Sequence, residues 1–102
     1  MSVLKVSKNN YDSIVEKNEC VLLDFYADWC GPCRMVAPII EEIANERSDV
    51  AVAKVNVDEN PDLASKFGVA SIPTLVVIRN GKIASRSVGA RPKDQILDML
   101  DR

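Results

Sequence analysis

The chain has 102 residues, 47% of them hydrophobic and 27% charged, which fits one globular domain over residues 1–102 and excludes a disordered chain. Its formal charge of −2 provides no positive field for nonspecific binding to nucleic acid, and no apolar run reaches the roughly 18 residues of a membrane-spanning helix. The alternating start Met1-Ser2-Val3-Leu4-Lys5-Val6 lacks the basic and then long apolar segments of a signal peptide, so a cytoplasmic protein is expected.

Strand and helix signals alternate from the first residues onward. Residues 3–6 read as a short strand. Asn9 or Asn10 is placed to cap a helix whose apolar face is Tyr11, Ile14 and Val15, at i, i+3, i+4 spacing. Residues 21–27 form a nearly continuous apolar run, as in a strand buried on both faces. A helix over residues 32–47 carries the stripe Met35, Val36, Ile39, Ile40 and Ile43. Pro38 sits inside it and removes a backbone bond, which predicts a kink. Residues 51–57 read as a second buried strand. Asn60 caps a short helix that opens with Pro61 and is ended by Gly68. Strands over 74–79 and 82–88 flank Asn80-Gly81, the strongest hairpin signal in the chain. Pro92 opens a last helix with Ile96, Leu97, Met99 and Leu100 on its apolar side.

The order β-α-β-α-β-α-β-β-α makes this an α/β chain. Early strands separated by helices imply parallel crossovers, and the closing hairpin is antiparallel. A central mixed five-stranded sheet flanked by four helices follows, with helices on both faces.

There are three cysteines and no histidine. An odd count is a poor basis for a secreted disulfide scaffold, and in a reducing compartment Cys30-Gly31-Pro32-Cys33 reads as redox or metal chemistry. Three readings compete. As a structural staple, a four-residue loop gives only about 2 kcal/mol in the chain-entropy model, against about 4.7 for a 100-residue loop. As a zinc site, the pair lacks two ligands, which only a dimer pooling two pairs would supply. As a redox pair, Cys30 stands at a helix N-terminus, where free amides and the helix dipole favour its thiolate. Cys33, one turn in, is then expected to be more buried and to resolve the intermediate.

Trp29-Cys30-Gly31-Pro32-Cys33 resembles, residue for residue, the active-site motif of the thioredoxin family. Further matching marks run along the whole chain: Asp24, Pro38, Lys54, Ile72-Pro73-Thr74, Asn80-Gly81 and Gly89-Ala90. The resemblance implies the thioredoxin fold and a thiol–disulfide oxidoreductase that reduces disulfides in target proteins. It casts Cys30 as nucleophile and Cys33 as resolving thiol. Asp24 matches the family's buried aspartate, and its place in an apolar strand predicts a raised pKa suited to taking a proton from Cys33. Lys54 matches that aspartate's lysine neighbour. Pro73 resembles the family's cis-proline, with the backbone of Ile72 pairing with an extended substrate. Trp29, Gly31, Pro32, Ile72, Pro73, Gly89 and Ala90 are expected to form a flat apolar rim around Cys30.

Two positions depart from the pattern. Tyr26 stands where many members carry a second tryptophan, and Ser71 where glycine is common in bacterial members. Cys20 lies outside the motif and reads as a small buried residue at a strand start. Arg79, Lys82, Arg86, Arg91 and Lys93 make the last quarter basic. A solvated hairpin face accounts for this, with a docking surface for an acidic partner as the alternative.

The four glycines make neither a GxGxxG nor a P-loop. No bound cofactor is expected beyond the Cys30–Cys33 disulfide itself. The resemblance implies re-reduction by a thioredoxin reductase, so NADPH acts only indirectly, and disulfide-bearing proteins as substrates. The Gly-Pro pair resembles the reducing members. An oxidase or isomerase, and a thioredoxin-fold scaffold for a partner protein, remain as alternatives. A monomer is the default.

Overall fold

The computed structural model describes residues 3–102. Met1 and Ser2, which open the alternating first segment, lie outside the described residues. The elements are β1 (Leu4–Lys5), α1 (Tyr11–Lys17), β2 (Cys20–Tyr26), α2 (Gly31–Glu46), β3 (Ala51–Asn56), α3 (Pro61–Lys66), β4 (Thr74–Arg79), β5 (Lys82–Val88) and α4 (Lys93–Asp101). The order is the one the hydrophobic pattern predicts, and the hairpin strands start and end where expected. The other boundaries shift by one or two residues.

The strands form one mixed sheet in the order β1-β3-β2-β4-β5. β3 pairs parallel with β1 and β2, while β4 pairs antiparallel with β2 and β5. β2 is therefore central, and its C-terminal end is flanked by β3 on one side and β4 on the other.

Alternation along the strands divides the core into two layers. Leu22, Val52, Leu75 and Val77 face α2 and α4, packing on Val36, Ile40, Ile43, Ile96 and Leu100. Val21, Leu23, Phe25, Val55 and Val76 face the other way, onto Leu63 and Phe67 of α3 and Tyr11 and Ile14 of α1. This period of two fixes an element of the site in advance. Asp24 shares the face of Leu22, and Lys54 that of Val52, so both look toward α2. They are also direct neighbours in the β2–β3 register.

Local chemistry accounts for the turns. Asn80 and Gly81 have φ of 54° and 80°, the left-handed pair that lets a two-residue hairpin follow the strand twist. Gly68, at φ 64°, ends α3: its amide donates to Ser65 O and that of Val69 to Ala64 O, closing the helix in a Schellman motif.

Several expectations need correction. Asn10 stands at the N-cap of α1, but its side chain does not bond the helix amides. It instead accepts from the Ser7 amide and donates to Lys5 O, tying the helix entry to β1. Asn60 likewise makes no side-chain cap bond and donates to Val6 O and Asn56 O. Met35 is 71% exposed, because it lies one helical step, about 100°, before Val36. Pro92 is the N-cap of α4 rather than its first residue.

The basic last quarter is not a uniformly solvated face. Arg79 donates to the carbonyls of Leu100 and Arg102, Arg86 to those of Phe67 and Gly68, and Lys93 to Glu46. Arg79 and Arg86 satisfy orphan carbonyls at two helix C-termini, which their charge also suits. Cys20, half-buried at the start of β2, has its Sγ 3.9 Å from an Arg79 guanidinium nitrogen.

Candidate active site

The chain leaves β2 at Tyr26 and turns directly into α2. Cys30 is the helix N-cap, with an extended backbone, and its Sγ accepts the Cys33 amide at 3.2 Å. Gly31 and Pro32 fill the first two helical positions. Proline is at home there, because its missing N–H would have no intrahelical partner. Cys33 thus falls one turn from Cys30 with its sulfur toward it. The two sulfurs are 2.31 Å apart in a disulfide, with Cα atoms 5.3 Å apart.

Both cysteines are 4% exposed, so Cys33 is not the more deeply buried of the pair. Their surroundings, not their depth, distinguish them. Cys30 Sγ lies 3.8 Å from Ile72 O, on the side of the β4 loop. Cys33 lines a cavity of about 220 Å³ with Asp24, Tyr26, Lys54 and Arg34. The volume admits water.

Asp24 is 4% exposed, and one carboxylate oxygen has no hydrogen-bond partner. Burial pushes its carboxyl up to about 7, against the opposing pull of the Lys54 ammonium. Lys54 also lies over the Tyr26 ring, 5.7 Å from its centroid. Tyr26, the departure from the tryptophan common in the family, therefore forms a wall of this cavity.

The Ile72–Pro73 peptide bond is cis. The Thr74 hydroxyl donates to Ser71 O at 2.6 Å, closing the loop beneath it. Gly89, at φ 94°, donates its amide to Pro73 O at 2.8 Å. That bond joins the β5–α4 loop to the cis-proline loop, whose Ile72 carbonyl lies against Cys30 Sγ. Trp29, directly before Cys30 in the chain, is 68% exposed.

Three contributors to this surface were not singled out from the sequence. Asp58 accepts the Trp29 indole N–H at 2.8 Å, which fixes the exposed ring. Asn56 in turn holds the loop carrying Asp58, accepting the Asp58 and Glu59 amides. An exposed tryptophan beside an acid-bearing loop is the signal for such a pair, but the two are 29 residues apart. Arg34 donates to Asp28 O and braces the turn that precedes Cys30. Among the described residues, no three His, Cys, Asp or Glu side chains are grouped to hold a metal ion, and no helix is long and apolar enough to cross a membrane.

A buried dithiol pair at a helix N-terminus, facing a cis-proline loop, can exchange electrons with a disulfide presented as an extended chain. Comparison with known proteins agrees with that chemistry. The thioredoxin family model matches residues 2–102. Thioredoxin 1 of Synechococcus elongatus is 51% identical over 90 residues, covering 87% of this chain and 84% of that protein. The thioredoxin of Staphylococcus haemolyticus is 43% identical over 103 residues, covering 100% and 98%. A mutant thioredoxin from Halobacterium salinarum superposes with a TM-score of 0.92 at 44% identity, covering 98% of this chain and 88% of that one. Matched by the family model over nearly its whole length and carrying a redox-active cysteine pair on the same fold, the chain belongs to the thioredoxin family of protein-disulfide oxidoreductases.

Proposed function

We propose that Cys30 is the nucleophile and Cys33 the resolving thiol of a general protein-disulfide reductase. The observation that carries this is the N-cap position of Cys30, whose sulfur already accepts the Cys33 amide. In the reduced protein that amide and the helix dipole favour the thiolate. The Cys30 thiolate attacks one sulfur of a substrate disulfide, forms a mixed disulfide and expels the first substrate thiolate. Cys33 then loses its proton to the Asp24 carboxylate across the cavity they share. Its thiolate attacks Cys30 Sγ, forms the Cys30–Cys33 disulfide and expels the second substrate thiolate. Two electrons pass to the substrate and the pair is left oxidised.

Lys54 holds a positive charge beside Asp24, which keeps the carboxyl able to cycle between its two forms. The Ile72 backbone, Pro73, Gly89 and Ala90 receive the substrate chain on one side of Cys30, with Trp29, Gly31 and Pro32 on the other. Main-chain pairing at Ile72 binds without demanding a sequence. The cysteine pair is the whole redox centre, so no bound cofactor is needed. Electrons come from a thioredoxin reductase, with NADPH one step removed. The protein works as a monomer in the cytoplasm.

Coupling the protein to NADPH and a thioredoxin reductase from a relative tests this directly. Insulin should be reduced and its B chain precipitate, with one NADPH consumed per disulfide. Failure to consume NADPH with insulin present, using a reductase active on its own partner, counts against the reading.

A further inference from the structure

A trough of about 270 Å³ runs between edge strand β5 and α4, lined by Arg86, Ser87, Arg91, Gln95, Asp98 and Arg102. Gln95 and Asp98 lie three residues apart on one side of α4, with Arg91 just before the helix and Arg102 at its C-cap. Two arginines, Arg91 and Arg102, line it with a single carboxylate, Asp98, in a chain whose net charge is −2. Arg86 contributes its place in the strand, since its guanidinium is held by the Phe67 and Gly68 carbonyls at the end of α3. Arg91 makes one long contact, 3.5 Å to Gln95 Oε1. Among the described residues neither Arg91 nor Arg102 forms an ion pair.

The Ser87 hydroxyl, also in the lining, is buried and has no hydrogen-bond partner. A buried hydroxyl without a partner costs about 1–3 kcal/mol, and an acceptor entering the trough removes that cost. The trough also adjoins the rim. Arg91 directly follows Ala90, and Ser87 precedes Gly89 by two residues, whose amide is bonded to Pro73 O.

We propose that this trough receives an acidic segment of the protein substrate, its carboxylates seated near Arg91, Arg102 and the Ser87 hydroxyl while the neighbouring disulfide reaches Cys30. The proposal rests on the redox reading of the rim and adds a preference among substrates. Main-chain pairing at Ile72 is indifferent to sequence, whereas the trough selects by charge. Long-range attraction of this kind acts mainly on encounter and weakens with salt.

The test uses three peptides, each with one disulfide flanked by two glutamates, two glutamines or two lysines. They are reduced by the wild-type protein and by the double variant Arg91→Gln/Arg102→Gln. Neither residue is part of the redox machinery, and the Arg102 carbonyl that Arg79 uses is retained. At low ionic strength the wild type should show a kcat/KM about tenfold higher for the glutamate peptide than for the glutamine one. That preference should shrink with added salt. The double variant should lose it and keep the wild-type rate on the glutamine peptide. Equal rates on all three peptides, or a preference that survives the double substitution, overturns the proposal. So does a dimer, seen by sedimentation, that the double substitution dissociates, because it assigns the trough to a second copy of the chain. Failure to reduce any peptide sinks the redox reading itself, and the trough's role with it.

Discussion

Cys33→Ser should convert the protein from a catalyst into a covalent trap. Cys30 owes its position to the residue 33 amide and the start of α2, and serine retains both. The first displacement therefore proceeds and links Cys30 to one half of the substrate disulfide. The second displacement needs a thiolate one turn along the helix, which serine does not offer at neutral pH. Turnover should fall at least about a thousandfold. A mixed species should accumulate on a nonreducing gel, at the summed mass of protein and substrate fragment, and vanish with dithiothreitol. Cys30→Ser should neither capture nor turn over. Rapid release of substrate from the Cys33→Ser protein would remove Cys33 from the resolving role.

Asp24→Asn should make the folded protein markedly more stable at alkaline pH while slowing it as a catalyst. Asp24 titrates near 3.8 in an unfolded chain and about 7 in the folded one, because burial opposes its charge. Between those values the folded state holds the proton more tightly, so stability falls as pH rises through the window. Below about pH 4 the carboxyl is neutral in both states and the native residue costs little more than asparagine. Above pH 7 the buried charge is carried in full, at about 4 kcal/mol. Asparagine is neutral throughout. Urea unfolding of the oxidised proteins should therefore show a gain of about 4 kcal/mol near pH 8 that nearly vanishes near pH 4. Resolution of the mixed disulfide should slow about a hundredfold, since no group of matched pKa remains to take the Cys33 proton. A gain that does not vary with pH would mean that Asp24 is ionised in both states alike. An unchanged resolution rate would remove it from the proton transfer.

Where the chain's own chemistry is local, the sequence was legible. Asn80-Gly81 determines a left-handed turn by itself, and both hairpin strands began and ended as read. Gly68 stopped α3 for the same reason. The period-two pattern put Asp24 in an apolar strand, and the two-layer core then turned it toward α2. What escaped was set by contacts distant in sequence. Arg79 and Arg86 looked like solvated surface because nothing near them in sequence reveals the helix ends they cap, about twenty residues away. Trp29 and Asp58 meet only once β3 lies beside β2. The relative depth of the two cysteines was also misread. Position in the helix predicts a deeper Cys33, but the Ile72 loop covers Cys30 equally.

The fold, not the local spacing, gives the cysteine motif its meaning. Cys30-Gly31-Pro32-Cys33 alone allowed a staple or a metal site as well as redox exchange. Its placement at the end of the central strand, opposite a cis-proline loop and above a buried carboxyl, is a property of the fold.

The account turns on the acidity of the Cys30 sulfur. The rate at which iodoacetamide alkylates it in the reduced protein, followed against pH by mass mapping, reads that acidity directly. Half-maximal reactivity well below the free-thiol value of about 8.5, with Cys33 slow throughout, is the expected result. A Cys30 that reacts only as an ordinary thiol, or a Cys33 that reacts first, would contradict it.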